Sequence, residues 1–285
     1  MSPALPHLPG VRHSYHRLPT GVRMHVAEAG DPGAPAILAV HGWPQHWWAW
    51  RGVIPALAGS HRVICPDLRG FGWSGQPADG DFAKERLADD MLALLDALGI
   101  ERAGYLGHDW GGWTGWLLAL RAPARFTRLM LVSIVHPWAS RVATPLNFWR
   151  GLYQYPLAAP VLGPAIVRDG RIIRAALASS MPDADAAIFA DVLREPARVG
   201  ASSLLYRHFQ LRELPGLMRG RYAGARVALP VKLLFPRGDG GQHPSQLAGV
   251  ERHAPLAEVE LVDGGHLLPD ERPQLVADRA LAWFA

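Results

Sequence analysis

The sequence has few of the residues that stabilise a protein through covalent or metal cross-links. Cys65 is the single cysteine among 285 residues, so an intramolecular disulfide is excluded. The thirteen histidines are dispersed along the chain and show no zinc-binding spacing. We therefore expect no metal site, and a reducing compartment is compatible with this composition.

Long apolar runs and clusters of basic residues are missing as well. Prolines and histidines interrupt the N-terminal stretch where a signal peptide needs continuous apolar residues, and no run reaches transmembrane length. Lys84 and Lys232 are the only lysines, and the arginines that produce the net charge of +4 are scattered. These absences predict a cytoplasmic protein that binds neither nucleic acid nor membrane.

Short β-rich runs alternate with helical patterns along the chain. This alternation is typical of an α/β protein whose parallel sheet is covered on both faces. Apolar residues also recur at helical spacing from Leu87 to Leu98, directly before Gly99. The candidate strands are residues 22–29, 36–40, 62–65, 103–106, 128–133, 231–235 and 258–262.

The alternation stops between about His136 and Arg226. Helical, proline-interrupted segments replace the β-like runs there, and strand-like alternation resumes at Leu229. Because both flanks must belong to one sheet, we predict a helical cap at residues 137–225, inserted into a core formed by residues 1–136 and 226–285. With 49% hydrophobic residues, the chain is able to bury such a core.

The motif GHDWGG at residues 107–112 resembles a nucleophile elbow in which an aspartate replaces the usual serine. Asp109 follows a predicted strand and opens a predicted helix, whose dipole favours the ionised carboxylate. A carboxylate is already an anion, so it can attack an sp³ carbon without a base and form a covalent ester. Water must then hydrolyse this ester, and that step requires a base.

A histidine and a second carboxylate lie where this chemistry needs them. His266 follows the last predicted strand in the segment DGGH, and it is the candidate general base. Asp239 follows the strand at residues 231–235 and is the candidate orienting acid. The alternative position, after the strand ending at Ser133, contains no carboxylate before Asp169. Asp109 is also a favourable helix N-cap, but that role would not explain the other two residues.

The segment HGWPQ follows the strand at residues 36–40. In a fold with such an elbow, one oxyanion donor comes from this loop and the other from the residue after the nucleophile. The backbone N–H groups of Trp43 and Trp110 are therefore the predicted oxyanion hole. We expect both indole rings to line an apolar pocket.

The motifs HGWPQ, DLRGFGWS, GHDWGG and GGH, in this order, resemble the α/β-hydrolase superfamily, and GHDWGG with HGWP is most similar to its epoxide hydrolase branch. The match covers nearly the whole chain except the middle of the predicted cap. The resemblance implies a mostly parallel eight-stranded sheet flanked by helices. It also implies a cofactor-free enzyme that opens a small apolar or aromatic epoxide to a vicinal diol through an ester on Asp109.

In epoxide hydrolases, two cap tyrosines usually stabilise the epoxide oxygen, and the resemblance assigns the second to Tyr206 in SSLLYRHF. At the first position this sequence departs from the family, because counting back from Gln154 leads to Trp149. An indole N–H can donate a hydrogen bond but cannot supply a proton. We favour Trp149 as an N–H donor with Tyr206 as the acid, and Tyr153 is the alternative. Both Trp149 and Tyr153 are expected in the substrate pocket.

Two other functions remain open. Haloalkane dehalogenases also use an aspartate on this elbow, and Trp110 and Trp149 would then hold the departing halide. Against this, Trp43 stands where many dehalogenases have asparagine, and Tyr206 would have no task. A non-catalytic ligand-binding module is the third possibility, since fold does not fix function, but the complete catalytic set argues against it. We expect a monomer or a homodimer.

Overall fold

The computed structural model describes residues 3–138 and 147–285. The strands are β1 (Arg12–Arg17), β2 (Arg23–Ala29), β3 (Ala36–Val40), β4 (Arg62–Pro66), β5 (Ala103–His108), β6 (Phe126–Val132), β7 (Val231–Pro236) and β8 (Ala257–Val262). They form one eight-stranded sheet in the order β1-β2-β4-β3-β5-β6-β7-β8. β1 and β2 are antiparallel to their neighbours, whereas β3 to β8 are mutually parallel. This architecture confirms the predicted α/β-hydrolase fold.

The candidate strands fall within two residues of the observed bounds, but β1 was not among them. Its sequence RHSYHR contains no aliphatic residue, and none of its side chains is fully buried. β1 lies at the edge of the sheet and pairs only with β2. An edge strand with polar side chains on both faces has no apolar alternation by which it can be recognised.

The first helices of the core are positioned by apolar faces. They are α1 (Ile54–Leu57), α2 (Lys84–Ala97) and α3 (Trp110–Arg121), with short 3₁₀ helices at Trp47–Trp50 and Pro123–Arg125. In α2, Leu87, Met91 and Leu94 are completely buried, as the helical spacing predicts. β5 is buried along its whole length because helices cover both faces of the central sheet.

β6 and β7 are neighbours in the sheet, so the long chain between them leaves the core and returns to the same place. The described residues of this stretch, 133–138 and 147–230, form helices and no strand. We call residues 147–225 the helical insertion. It contains a 3₁₀ helix (Phe148–Gly151), α4 (Gln154–Ala158), α5 (Leu162–Asp169), α6 (Arg171–Ala178), α7 (Asp183–Leu193), α8 (Pro196–His208), a π-helical turn (Phe209–Glu213) and α9 (Leu214–Met218).

The chain after β7 completes the core. It contains 3₁₀ helices at Pro244–Leu247 and Val250–Arg252, and then α10 (Leu268–Glu271) and α11 (Pro273–Phe284). The loops that follow β3, β5, β7 and β8 all leave the carboxyl edge of the parallel strands. Open α/β sheets bind their ligands at this edge.

The turn between β5 and α3 brings backbone atoms unusually close together. A Cβ atom on Gly111 would lie 2.1 Å from the carbonyl oxygen of Val40, and one on Gly107 would lie 2.6 Å from the carbonyl oxygen of Gly111. Both distances are shorter than real Cβ contacts, so only glycine fits at these two positions. The glycines allow α3 to begin directly above the end of β3.

We expect Gly111→Ala to destabilise the protein by about 1–3 kcal/mol, the usual cost of overpacking a dense interior. The added methyl group meets backbone atoms of β3, which cannot move aside as a side chain would. The measurement is the free energy of unfolding in urea, with circular dichroism to check that the variant folds.

Gly200→Ala is the matched control, because a Cβ at this position in α8 meets nothing within 4 Å. This substitution should instead stabilise the protein by about 0.4–1 kcal/mol, through the lower entropy of the unfolded chain. Equal effects of the two substitutions would show that the close approach at Gly111 has no energetic consequence.

Candidate active site

Asp109 occupies the turn between β5 and α3 in a strained conformation. Its φ is 50° and its ψ is −119°, a region that non-glycine residues rarely adopt. The residue is only 6% exposed, and its carboxylate makes no helix-capping hydrogen bond. A simple N-cap role therefore does not account for this aspartate.

The two oxygens of the Asp109 carboxylate have different surroundings. Oδ1 accepts a hydrogen bond from the backbone N–H of Trp43 at 3.1 Å, and the backbone N–H of Trp110 helps to keep the pKa of the carboxyl low. Gly42 makes this approach possible, because a Cβ there would lie 2.4 Å from Cβ of Asp109. The backbone N–H of Trp43, one of the two predicted oxyanion donors, thus holds one end of the carboxylate, and Oδ2 points elsewhere.

Oδ2 of Asp109 lies 3.4 Å from Nε2 of His266, on the turn after β8. The other ring nitrogen, Nδ1, lies 2.8 Å from Oδ2 of Asp239, which follows β7 and is 2% exposed. The backbone N–H groups of Gly241 and Gln242 donate to Oδ1 of Asp239. Three loops at the carboxyl edge of the sheet therefore bring together the three residues singled out in the sequence.

The charges in this group stabilise one another. Burial alone would raise the pKa of Asp109, but the hydrogen bond and charge of His266 hold it below the ordinary value. Burial would lower the pKa of His266, yet the negative charge of Asp239, together with its hydrogen bonds and the charge of Asp109, raises it well above the ordinary value. The resting site therefore contains a carboxylate beside a charged imidazole.

Two further histidines support the loops around Asp109. Nε2 of His41 accepts the backbone N–H of Leu68 at 2.9 Å, while Nδ1 lies 2.8 Å from the carbonyl oxygen of Gly42. His108 directs Nε2 at the carbonyl oxygen of His266, at 2.8 Å. Burial lowers the pKa of His108 to about 4, so the ring is neutral at neutral pH. These rings position the backbone and do not face the carboxylate as a base.

Two tyrosines of the helical insertion lie near Asp109. Tyr206, on α8, is 1% exposed, and its ring packs edge-on against Trp43 and Trp110 at centroid distances of 5.1 and 5.8 Å. The ring of Tyr153 lies 6.1 Å from that of Tyr206 in an edge-on arrangement. Burial, followed for Tyr153 by the charge of Asp109, raises the pKa of both phenols. Both therefore keep their protons at neutral pH.

The structure does not bring Trp149 to the site. Its side chain is 56% exposed, and its ring packs under the guanidinium of Arg150 at 4.7 Å. Trp149 lies in the 3₁₀ helix before α4, where three residues make one turn, so residues four apart point about 120° away from each other. Tyr153 is itself 42% exposed, but its ring lies beside that of Tyr206. The preferred assignment of Trp149 as a donor in the pocket is therefore corrected, and Tyr153, the alternative, is the residue near Tyr206.

Two cavities meet at the catalytic group, and Tyr153 forms part of the wall of both. The smaller cavity has a volume of about 270 Å³ and the larger one about 750 Å³. Residues lining the smaller cavity include Asp109, Trp110, Trp113, Tyr155 and Phe209. Residues lining the larger cavity include Trp43, Leu157, Ile172, Ile173 and His266. The nucleophile and the base thus face different compartments, and sequence reasoning did not find this division.

Within residues 3–138 and 147–285, no group of three or more His, Cys, Asp or Glu side chains is arranged to hold a metal ion. Over the same residues, every helix is too short or too polar to cross a membrane.

Comparison with known proteins agrees with the fold. The family model described as alpha/beta hydrolase fold matches residues 35–273. The chain is 31% identical over 284 residues to a soluble epoxide hydrolase of Corynebacterium sp. (strain C12), covering 93% of this chain and 94% of the relative. It is 28% identical over 282 residues to the AB hydrolase superfamily protein YfhM of Bacillus subtilis (strain 168), covering 93% and 95%.

A solved structure with 29% sequence identity is the epoxide hydrolase CorEH without ligand. It aligns with a TM-score of 0.80, over 96% of this chain and 98% of the other. The likeness therefore extends through the helical insertion as well as the core.

We expect Asp109→Asn to lower the pKa of His266. Asp109 supplies part of the negative charge that favours the imidazolium, so removing that charge makes the protonated ring less stable. The measurement is an NMR titration of the His266 ring, assigned by its loss in a His266→Gln variant. Asp278→Asn on α11 is the control, because its carboxylate bonds to Gln274 and lies outside this group. A His266 pKa that stays the same in Asp109→Asn would contradict the assigned ion pair.

Proposed function

The chain belongs to the α/β-hydrolase family as an epoxide hydrolase-like member, and on that premise we propose that it hydrolyses an epoxide to a vicinal diol through a covalent ester on Asp109. The observation that carries the proposal is the arrangement around one carboxylate. One oxygen of Asp109 is held by the backbone N–H of Trp43, the other faces His266, and two neutral phenols lie near the carboxylate. A nucleophile and two acids are thus present together.

In the first half-reaction, Oδ2 of Asp109 attacks an epoxide carbon. The new C–O bond is the ester bond, and the epoxide C–O bond that breaks leaves an alkoxide. Tyr153 and Tyr206 hydrogen-bond to that oxygen and deliver one proton. The raised pKa of the phenols makes the resulting tyrosinate a strong base, so it takes up the proton that His266 releases once Asp109 has become a neutral ester. Activating the epoxide in this way requires no metal ligand.

In the second half-reaction, water attacks the ester carbonyl and gives one proton to His266. The oxyanion forms at Oδ1, which already accepts the N–H of Trp43, and the N–H of Trp110 is the second donor in this proposal. Collapse of the intermediate releases the diol, whose departing oxygen takes a proton from His266. The proton left on Asp109 passes to His266, which restores the resting pair of carboxylate and imidazolium. The sum is one epoxide and one water giving one diol.

The ion pair of the resting state controls when His266 becomes a base. While Asp109 is ionised, its charge helps to keep the imidazole protonated. Esterification turns Asp109 into a neutral group, and that contribution to the pKa of His266 disappears. We infer that forming the ester lowers the pKa of the base needed to hydrolyse it, so that the two half-reactions occur in the correct order.

The two cavities support a substrate with carbon substituents on both sides of the epoxide. The reacting carbon must lie near Oδ2 of Asp109, where the compartments meet at Tyr153. An aromatic or short arm suits the smaller cavity, with Trp110 and Phe209 in its wall, and an aliphatic arm suits the larger one. The expectation of a small apolar or aromatic epoxide is kept as part of this proposal.

The other functions receive less support. A haloalkane dehalogenase would use Trp110 and Trp149 to hold a halide, but the Trp149 side chain is exposed to solvent. A non-catalytic module gives no reason for the contacts among Asp109, His266 and Asp239. The cytoplasmic location, the absence of nucleic-acid and membrane partners, and the monomeric or homodimeric state stay predictions.

We expect His266→Gln to form the ester but not to hydrolyse it. Glutamine cannot accept the proton of water, and losing a general base typically slows such a step by about 10²–10⁴-fold. After mixing with 1-phenylpropylene oxide, intact-protein mass spectrometry should show one added substrate mass, and peptide mapping should place it on Asp109. The wild-type protein should give diol from this epoxide and no halide from 1-bromobutane.

Asp109→Ala is the control for the adduct and should show no added mass. Halide release without diol would move the assignment to a dehalogenase. Normal turnover by His266→Gln would remove His266 from the mechanism.

We expect Tyr153→Phe and Tyr206→Phe each to slow ester formation by about 10²-fold, because each removes an O–H donor from the alkoxide. Ester hydrolysis should be much less affected, since it depends on His266. Stopped-flow fluorescence under single-turnover conditions separates the two rates. Trp149→Phe removes an exposed indole N–H and should leave both rates unchanged. If Trp149→Phe slowed ester formation as strongly as Tyr153→Phe, the assignment of Tyr153 would be wrong.

A further inference from the structure

A buried ion pair that has no part in the proposed chemistry lies behind the site. Lys84, the first residue of α2, is completely buried, and its Nζ lies 3.5 Å from Oε1 of Glu213 in the π-helical turn. The same Oε1 accepts the backbone N–H of Lys84 at 3.2 Å. Removing two charges from water is costly, and such a pair often contributes little net stability. Its position therefore calls for another explanation.

Lys84 contacts both halves of the catalytic arrangement. Its Nζ donates to the carbonyl oxygen of Leu205 at 2.8 Å, and Leu205 directly precedes Tyr206. The same Nζ lies 4.4 Å from the ring centroid of Trp110, which directly follows Asp109. One cation thus bridges the nucleophile turn of the core and the tyrosine-bearing helix of the insertion.

The chain before Lys84 attaches to the same helix end. The backbone N–H of Phe82 donates to Nδ1 of His208 at 3.0 Å, one residue before the π-helical turn. A π-helical turn shifts the register of the chain by one residue relative to an α-helix, and such turns often occur at functional sites. Here the turn directs the carboxylate of Glu213 to the N-terminus of α2, where a negative charge is favourable.

We propose that Lys84 is a positioning residue that, with Glu213, fixes the Tyr206 hydroxyl relative to the Asp109 carboxylate. The proposal rests on the proposed function, since it assigns the pair to the epoxide-opening step. Lys84 touches neither substrate nor Asp109. It acts through Leu205 and Trp110, the immediate neighbours of the two reacting residues. Ester hydrolysis uses His266 and backbone N–H groups rather than Tyr206. Lys84 contacts only the indole ring of Trp110, whereas backbone hydrogen bonds from Asp109 to Val132 and from Trp113 to Asp109 hold the nucleophile turn, so this step should not depend on Lys84.

The variant that tests the proposal is Lys84→Met/Glu213→Met. Two methionines fill a similar volume and leave no unpaired buried charge, so we expect the fold to be retained. A second contact also still holds α8, because the indole N–H of Trp43 donates to Oγ of Ser202 at 3.1 Å. Ester formation should fall by about 10–100-fold, the effect of misplacing a reacting group by up to about 1 Å. Hydrolysis of the ester, once formed, should keep its wild-type rate.

Arg221→Gln is the matched control. Arg221 of the insertion pairs with Glu85 of α2 at 2.8 Å, so it joins the same two parts of the protein. This pair lies at the surface, with side chains 46% and 25% exposed, and it touches neither Leu205 nor Trp110. Ester formation in Arg221→Gln should equal that of the wild type.

A second readout does not depend on epoxide chemistry. The chain has six tyrosines, so 3-fluorotyrosine labelling gives a simple ¹⁹F spectrum in which Tyr206→Phe identifies the Tyr206 resonance. The Tyr206 signal should shift or broaden in the double methionine variant and stay unchanged in Arg221→Gln. If the wild type opened no epoxide, the proposed function would fail, and this spectrum would still test the positioning role.

Three results would overturn the proposal. The first is wild-type ester formation in the folded double variant. The second is an equal loss in both half-reactions, which would indicate general damage. The third is a Tyr206 ¹⁹F resonance identical to that of the wild type.

Discussion

The catalytic arrangement depends on how the Asp109 carboxylate is held. The strained turn at this residue raises the side chain above the sheet edge, and the glycines at 42, 107 and 111 let three backbone segments pack around it. The backbone N–H of Trp43 then donates to one oxygen only. A carboxylate that is fixed at one oxygen presents the other in a single direction. The base, the phenols and the cavities are all arranged around this second oxygen.

The same carboxylate explains the electrostatics of the site. A buried aspartate would ordinarily be protonated and unreactive, yet the imidazolium of His266 keeps its pKa low. The aspartate in turn helps to keep the imidazole charged. In the proposed reaction this mutual stabilisation ends when the ester forms, because Asp109 then loses its charge. The site with an ionised Asp109 and a protonated His266 suits attack on the epoxide. Formation of the ester converts it into a site with a neutral ester and an unprotonated His266, which suits attack by water.

Most of the core could be predicted from the sequence, because short local patterns of residues indicate its strands and the loops that follow them. Apolar runs marked seven of the eight strands, and only β1, a polar edge strand, was missed. Asp109, Asp239 and His266 each follow a strand on a short loop, so chain order placed them at one sheet edge. The N–H donors of Trp43 and Trp110 were found for the same reason.

The side-chain directions in the helical insertion were harder to predict from the sequence, because they depend on the number of residues in each helical turn. Counting from Gln154 led to Trp149, but the 3₁₀ helix at Phe148–Gly151 changes the number of residues per turn. For this reason Tyr153 lies beside Tyr206, whereas Trp149, only four residues earlier in the chain, does not. Lys84 gave no signal either, since a lysine at the start of a helix usually points into solvent. Its burial depends on contacts with Leu205 and Glu213, which are distant in sequence.

The core and the insertion divide the proposed chemistry between them. Asp109, Asp239, His266 and the two backbone donors all belong to the core, and in the proposed reaction they carry the ester and hydrolyse it. The insertion contributes the phenols that make an epoxide carbon reactive, together with much of the wall of both cavities. Changes in the insertion should therefore alter which epoxide is opened, and how fast, without altering the fate of the ester. Lys84 connects the two parts, since it is a core residue that contacts both Trp110 of the core and the helix that carries Tyr206.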